Sequence, residues 1–284
     1  MASLAETPKS GYEDPLARID WQGVDRDCWW LPPTALSLAG VPEFEALPLV
    51  TRRRLSQLEY VHLLETGLWL ESLFIARLAQ LADHSREVAQ RARFLQEVRE
   101  EAGHSLMFVE LLERSGFGVP ARRGLALRAL DALGRLLPTG SALFWAMTVV
   151  GEELPDRLNR RVQRGVDEAT LSAVVYRMAQ IHLQDEAAHA AYSRLQCDAA
   201  ARRCARWQLR VLAPLLSLVT GLFARYVYFP PRAIYERAGL VPGRAWRARA
   251  LANPRRRAHA AEMLRPTIEF LRRAGWQVSS RYVG

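Results

Sequence analysis

The stretch His182-Leu-Gln-Asp-Glu186-Ala-Ala-His189 decides the fold and the chemistry of this 284-residue chain. In an α-helix its two histidines and Glu186 are spaced i, i+4 and i+7, so the three side chains share one face within an arc of roughly 60°. Imidazole and carboxylate groups together form a donor set that binds first-row transition metals. The stretch therefore predicts a metal-binding helix face.

A shorter version of the pattern occurs upstream at Glu101-Ala-Gly-His104. Two Glu-x-x-His pairs in one helical chain indicate a dinuclear carboxylate site in a four-helix bundle, where the other two helices supply one glutamate each. We therefore expect four metal-binding helices, arranged as two antiparallel hairpins.

The single glutamate of the first hairpin is sought by symmetry, because residues at one level of a hairpin are equally far from its loop. The polar break around Asp83 lies 18 residues after Glu65 and 18 residues before Glu101, which predicts Glu65 as the ligand. Glu71 stays open as the competing candidate. Its midpoint with Glu101 falls at Arg86, later than the break.

The same argument locates the single glutamate of the second hairpin. Glu152 and Glu186 lie 17 residues before and after a point inside the turn predicted at residues 165–170. Glu153 stays open, because one residue of loop uncertainty would exchange the two. Glu152 is favoured because it continues the helical row that passes through Val149.

The order Glu, Glu-x-x-His, Glu, His-x-x-x-Glu-x-x-His resembles the p-aminobenzoate N-oxygenase (AurF-type) family of ferritin-like diiron proteins. The resemblance covers roughly Leu55 to Leu195, and His182 is the extra histidine that separates this pattern from other ferritin-like oxygenases. It implies an O₂-dependent monooxygenase with two non-haem iron ions as cofactor and no catalytic residue beyond the ligands. Carried onto this chain, the implied iron ligands are Glu65, Glu101, His104, Glu152, His182, Glu186 and His189.

The donor set agrees with iron. Four glutamates carry about four negative charges, which nearly balance two ferrous ions, so a filled site can be buried where an empty one would be costly. Mixed carboxylate and imidazole ligands suit iron and O₂, whereas zinc sites tend to be tetrahedral and rich in sulfur. Asp185 and Glu100 lie one step off the metal face, where each is predicted to accept the free ring N–H of a histidine on a neighbouring helix.

Apolar residues recur at helical spacing along most of the chain, with almost no alternation of the kind strands show. We therefore predict an all-α protein: a ferritin-like four-helix bundle with additional C-terminal helices and an irregular N-terminal arm. A single domain is expected over residues 1–284, with the arm at 1–50, the metal-binding bundle at 51–200 and the C-terminal helices at 201–284. The six prolines and three tryptophans of the arm indicate an irregular but ordered segment.

The net charge is +9, and Lys9 is the one lysine among 39 basic residues. The arginine clusters at 52–54, 160–161 and 255–257 are short and lie on separate elements, and no nucleic-acid reader motif is present, so no nucleic-acid partner is expected. The favoured interpretation of these clusters is that they form solvated helix faces. The alternative is that the arginines bind a carboxylate-bearing substrate or an acidic carrier protein.

A cytoplasmic location is expected. The most apolar run, residues 207–228, is interrupted by Arg210, Pro214 and Arg225 before it reaches the ~20 residues that span a bilayer, so it is interpreted as a buried helix with no membrane partner. The N-terminus lacks the features of a secretory signal, and the three cysteines are interpreted as free thiols.

The resemblance implies a diiron oxygenase that converts a small amine, such as an arylamine, to hydroxylamine, nitroso or nitro product. An external electron donor and a homodimer are expected. The alternative is a diiron hydroxylase or desaturase that acts on a carbon centre, including a carrier-bound acyl or aminoacyl group. Iron storage is disfavoured, because the chain adds the arm and the C-terminal helices to the bundle, and a helical interaction protein without metal is the remaining class.

Overall fold

The computed structural model describes residues 12–24, 27–117, 124–164 and 171–279, except the side chains of residues 161 and 164. Within these ranges the secondary structure consists of α-helices and three short 3-10 helices, with no strand and one isolated bridge between Trp29 and Leu171. The predicted all-α class is confirmed.

The α-helices are numbered in chain order. They are α1 Pro42–Glu45, α2 Leu49–His84, α3 Val88–Ser115, α4 Leu125–Leu136, α5 Ala142–Arg164, α6 Ala173–Arg203, α7 Arg206–Tyr228, α8 Arg232–Arg237, α9 Gly243–Ala252 and α10 Pro254–Arg273.

Helices α2 and α3 form the first hairpin of the bundle. Helix α2 ends where Ser85 turns to an extended conformation, and its hydroxyl donates to the Leu81 carbonyl at 2.7 Å. Helix α3 ends at Gly116, whose φ of 61° lies in the left-handed region that glycine adopts without strain. The short link between these helices fixes which of their residues share a level.

Helices α5 and α6 form the second hairpin. The turn predicted at residues 165–170 lies outside the described residues. After it, the N–H of Ser172 donates to the Trp29 carbonyl at 2.8 Å, so the N-terminal arm contacts the start of α6. The two hairpins together form the predicted four-helix bundle from α2, α3, α5 and α6.

The N-terminal arm is irregular but well packed over its described residues. Trp30 is fully buried and makes edge-on ring contacts with Tyr60 and Phe117. The Ser56 hydroxyl of α2 accepts the backbone N–H groups of Trp30 and Leu31 at 2.8 and 3.0 Å. The arm is therefore fixed to α2 by buried aromatic surface and by satisfied backbone hydrogen bonds.

The apolar run after the bundle requires a correction. By length and composition, the segment Arg206–Arg237 is long and apolar enough to cross a bilayer, with 56% of its most apolar window buried. The prediction that charged residues interrupt it too early is wrong, because Arg210 and Arg225 are far enough apart to leave a window with few charges. One face of α7 packs into the protein through Leu216 and Phe223.

Candidate metal centre

Glutamate and histidine side chains from α2, α3, α5 and α6 converge in the interior of the bundle. They form two groups, and within each group the ligand atoms lie within 4.8 Å of one another. Glu186 belongs to both groups, and all the side chains are buried. The first group is Glu71, His104, His182 and Glu186; the second is Glu101, Glu152, Glu186 and His189.

Two carboxylates lie between the histidines of the Glu-x-x-His pairs. The Glu186 oxygens are 3.2 Å from His104 Nδ1 and 3.5 Å from His189 Nδ1. The Glu101 oxygens are 3.7 Å from His104 Nδ1 and 3.2 Å from His189 Nδ1. Because each carboxylate turns one oxygen toward each histidine, Glu101 and Glu186 have the arrangement of carboxylates that bridge two metal ions.

Several polar atoms of this cluster are buried without a hydrogen-bond partner. They are Glu71 Oε2, Glu101 Oε2, His104 Nδ1, Glu186 Oε1 and His189 Nδ1. Burying an unpaired polar group costs several kcal/mol in an apolar environment, so native proteins rarely leave such groups unsatisfied. The lone pairs of carboxylate oxygens and imidazole nitrogens converge here, as the binding of iron requires. The residues present therefore fit a dinuclear centre.

On α2, Glu71 and not the predicted Glu65 belongs to the candidate ligand groups. Helix α2 continues through His84 and α3 begins at Val88, so the hairpin is centred on Arg86 rather than on Asp83. Glu71 and Glu101 are equally far from this centre. The hairpin centre predicted from the sequence is therefore three residues too early, because the polar residues that were read as a break belong to the last turn of α2. Glu71 becomes the candidate ligand from this helix.

Glu65 lies outside both ligand groups. Desolvation raises the pKa of Glu65 to about 7, although the nearby Arg237 opposes this shift. One of its carboxylate oxygens, Oε1, is buried without a hydrogen-bond partner. Glu65 thus lies outside the ligand cluster, on a different face of α2.

Glu152 and Glu153 point in different directions on α5, which separates the two candidates. Glu152 joins the second ligand group, as the sequence favoured. Glu153 accepts hydrogen bonds from Arg157 at 2.8 Å and from Thr267 at 2.5 Å, and it also pairs with Arg194. Successive helical side chains diverge by about 100°, so one can face the centre while the other binds α6 and α10.

The predicted outer carboxylates are confirmed. His104 Nε2 lies 3.4 Å from the Asp185 carboxylate, and His189 Nε2 lies 2.9 Å from the Glu100 carboxylate. Each histidine therefore turns Nδ1 toward the cluster and its other nitrogen toward a carboxylate, which fixes the ring orientation and strengthens the ring as a ligand.

Two further neighbours of the ligands had no signal in the sequence. Arg18 of the N-terminal arm lies 3.5 Å from Asp185 and donates to Gln184 at 2.7 Å. The side-chain amide of Asn159 lies 3.3 Å from His182 Nδ1. Arg18 is more than 160 residues away from Asp185 along the chain, so only the folded arm brings them together.

Protonation of the cluster follows from its charges. Burial alone would lower the pKa of His104 and His189, but their carboxylate neighbours outweigh it and raise both pKa values well above normal. Burial and the nearby Glu186 and Glu101 carboxylates raise the pKa of Glu152. Metal ions must displace these protons, because imidazole and carboxylate bind metal in their deprotonated forms.

A cavity adjoins the cluster on the side of Glu71, Glu152 and His182. Its walls are mainly apolar, and no lysine or arginine is among the described residues that line it. The Phe108 ring stacks on His182 with 5.7 Å between the ring centroids. An organic molecule in this cavity would lie directly beside the ligand groups. The apolar part of the wall includes Leu64, Leu70, Phe74, Phe108, Leu158 and Met178.

These features define an all-α bundle that pairs two Glu-x-x-His helices around shared carboxylates. The family model described as P-aminobenzoate N-oxygenase AurF matches residues 1–275 of the chain. The chain therefore belongs to the AurF family, a family of diiron enzymes with a ferritin-like fold.

Relatives in mycobacteria match most of the chain. Rv0885 of Mycobacterium tuberculosis strain H37Rv is 24% identical over 288 residues, which cover 94% of this chain and 83% of that protein. MT0908 of M. tuberculosis strain CDC 1551 and Mb0909 of Mycobacterium bovis have the same identity and coverage. All three are described as uncharacterized proteins. No solved structure matches the chain.

Proposed function

We propose that this protein is a non-haem diiron oxygenase that uses O₂ to oxidise the nitrogen of a small amine, such as an arylamine. The observation that carries this proposal is the position of Glu186, which belongs to both groups of four metal-ligand side chains. A shared carboxylate holds two metals close together, so that two electrons are available at one place for O₂.

The residues of the chain have distinct parts in this proposal. Glu71, His104 and His182 would hold one iron, Glu152 and His189 the other, and Glu101 and Glu186 would bridge them. When bound, the irons would supply the electrons that reduce O₂ and the open ligand positions at which O₂ binds. Asp185 and Glu100 hold the proton on the outer nitrogen of each histidine, and the apolar cavity walls exclude water from the reacting amine.

The overall reaction needs an external electron donor. An amine, O₂, two electrons and two protons give a hydroxylamine and water, and further rounds give nitroso and nitro products. We propose a cytoplasmic protein with a separate reductase or small-molecule reductant as the donor.

A second candidate is hydroxylation or desaturation of a carbon centre. The mainly apolar wall of the cavity favours it, because such a wall binds an alkyl group as readily as an aromatic ring. The same wall carries His182, so the family's extra histidine would take part in either reaction.

The test is turnover of iron-loaded protein with a chemical reductant and ¹⁸O₂ against matched panels of arylamines, alkylamines and alkyl substrates without nitrogen. We expect ¹⁸O in the hydroxylamine, nitroso or nitro products of at least one amine. His182→Ala should lose most of this turnover while it keeps most of its iron. Label in carbon-centred products alone would support the second candidate, and no labelled product from any panel would contradict both.

A further inference from the structure

A second cavity, with an almost entirely apolar wall, lies next to the one at the metal centre. It is bordered by α2, α4, α5 and α7. The two cavities share three wall residues, which are Leu70, Phe74 and Gly151. A molecule in the first cavity therefore contacts residues that also border the second. The remaining wall of the second cavity includes Trp69, Leu73, Leu130, Phe144, Val219 and Phe223.

Phe74 and the backbone of Gly151 form the boundary between the two cavities. A Cβ atom at Gly151 would lie 2.8 Å from Phe74 Cζ and 3.3 Å from Leu70 Cδ1, so the ring lies close against α5. Glu71 of the ligand groups is three residues before Phe74, a rise of about 4.5 Å along α2. Glu152, another residue of those groups, directly follows Gly151. The boundary therefore lies beside the metal centre on both helices.

The polar side chains in the second wall are bonded within the protein. Among the described residues of this wall they are Trp69, Arg77 and Thr148. The Trp69 indole donates to the Asp131 carboxylate at 2.8 Å, and the Thr148 hydroxyl donates to the Phe144 carbonyl at 3.1 Å. The Arg77 guanidinium donates to two backbone carbonyls near the end of α4 and lies over the Phe144 ring. These side chains therefore offer little to a polar ligand.

The two cavities differ in the chemistry of their walls. The carboxylates of Glu71, Glu152 and Glu186 and the imidazole of His182 line the first, whereas the second is lined by apolar side chains and by polar ones already bonded elsewhere. A polar group that entered the second cavity would lose its hydrogen bonds to water without replacement. A hydrocarbon would gain free energy in proportion to the apolar surface that it buries. The second wall therefore favours a hydrocarbon.

We propose that the second cavity binds an unbranched alkyl tail of the substrate, whose other end lies at the metal centre. The tail crosses the boundary beside the Phe74 ring, where the absence of a side chain on Gly151 leaves room for a narrow chain. The substrate class is then an amine with an uncharged apolar end. The position of the reacting end rests on the proposed function, whereas binding of the alkyl tail does not.

Calorimetry on the iron-loaded protein without O₂ tests the alkyl site through binding alone. The probes are aniline and its 4-alkyl derivatives from ethyl to hexyl, with 4-(3-hydroxypropyl)aniline as the polar counterpart of 4-butylaniline. We expect the affinity to rise about fourfold for each methylene until the second cavity is full, and then to stay constant. The hydroxypropyl compound should bind about tenfold more weakly than the butyl compound, because its hydroxyl group would be buried without a partner.

Two substitutions confined to the second cavity should move this limit in opposite directions. Thr148 and Val219 line the second cavity and not the first. Thr148→Phe fills the cavity, so it should remove the gain from chain length and leave the affinity for aniline unchanged. Val219→Ala enlarges the cavity, so the affinity should keep rising for at least one further methylene. The control is Val88→Phe, at a residue of α3 that is 84% exposed, and it should behave like the wild type.

Equal affinity of the wild-type protein for aniline and 4-butylaniline would overturn the proposal. The same chain-length dependence in the wild type and in the folded variants at Thr148 and Val219 would also overturn it, because the tail would then bind elsewhere. If Thr148→Phe does not fold, the result for Val219→Ala decides alone. Binding that depends on chain length in the expected way, without oxidation of any alkylaniline under O₂, would contradict the proposed function and support the alkyl site.

Discussion

Glu71 and Glu65 lie on the same helix but on different faces, because six residues rotate a helical side chain by about 240°. Glu71 Oε1 is 3.5 Å from His182 Nε2, whereas Glu65 belongs to neither ligand group. Glu71→Gln should lower the iron content from about two per chain toward one, measured by elemental analysis after anaerobic loading. Glu65→Gln is the matched control and should keep its iron. Loss of iron from Glu65→Gln alone would restore Glu65 as the ligand.

Glu65 should also make stability depend on pH. Its pKa is raised to about 7 in the folded protein from an ordinary value of 4.5, because burial disfavours the carboxylate. Between these pH values the folded state binds more protons than the unfolded state. The free energy of unfolding that Glu65 contributes in its protonated form is therefore lost as pH rises from 4.5 to about 7.

Glu65→Gln removes this loss. Denaturant unfolding of the metal-free proteins should show the variant gaining stability relative to wild type as pH rises from 5 toward 7, with a constant difference above about 8. The other groups that titrate in the cluster are common to both proteins and cancel. A difference that does not change with pH would show that the Glu65 carboxylate has an ordinary pKa.

At the scale of elements, the N-terminal arm reaches the metal centre through Arg18 and Asp185. The Asp185 carboxylate raises the pKa of His104 against the effect of burial, and Arg18 holds that carboxylate. Asp185→Asn should lower metal affinity by about 10- to 100-fold, and Arg18→Gln should act in the same direction with a smaller effect.

The distinguishing measurement is the pKa of His104, followed by NMR in metal-free protein. Asp185→Asn should lower the pKa of His104, Arg18→Gln should change it because it frees Asp185 from its ion pair, and both should leave the pKa of His189 in place. Glu100→Gln is the control. It should lower the pKa of His189 and leave that of His104 in place, because Glu100 hydrogen-bonds His189. If Arg18→Gln weakens metal binding without any change at His104, the arm acts through general stability instead.

The bundle and most of the cluster could be predicted from the sequence. Residues spaced i, i+3, i+4 and i+7 share one helix face, and this does not depend on where the helix begins or ends. Six of the seven predicted ligands belong to the two groups. The seventh, Glu65, depended on where α2 ends. Asp83 and His84 were taken as a break between helices, but they lie in the last turn of α2. An error of three residues in the centre of a hairpin moves the paired position by six, from Glu65 to Glu71.

At the scale of the whole molecule, part of the arginine excess has a structural role that composition could not reveal. Arg256 is buried and donates to the Tyr228 carbonyl at 2.7 Å and to the Ala35 carbonyl at 2.5 Å, which ties the arm to the C-terminal helices. From the sequence alone, the cluster at 255–257 is interpreted as a solvated helix face or as part of a site for a carboxylate-bearing substrate. Only the fold shows which arginine turns inward, since neighbouring residues of a helix point in different directions.

The arm, the bundle and the C-terminal helices all contact the candidate centre or its neighbours, and we expect this assembly to hold two metals in one site. The direct measurement is Mössbauer spectroscopy, with elemental analysis, of protein loaded anaerobically with ⁵⁷Fe and then exposed to O₂. We expect about two irons per chain and a diamagnetic ground state from two coupled ferric ions. One iron per chain, or two ferric ions that show the magnetic spectra of isolated sites, would contradict the dinuclear centre.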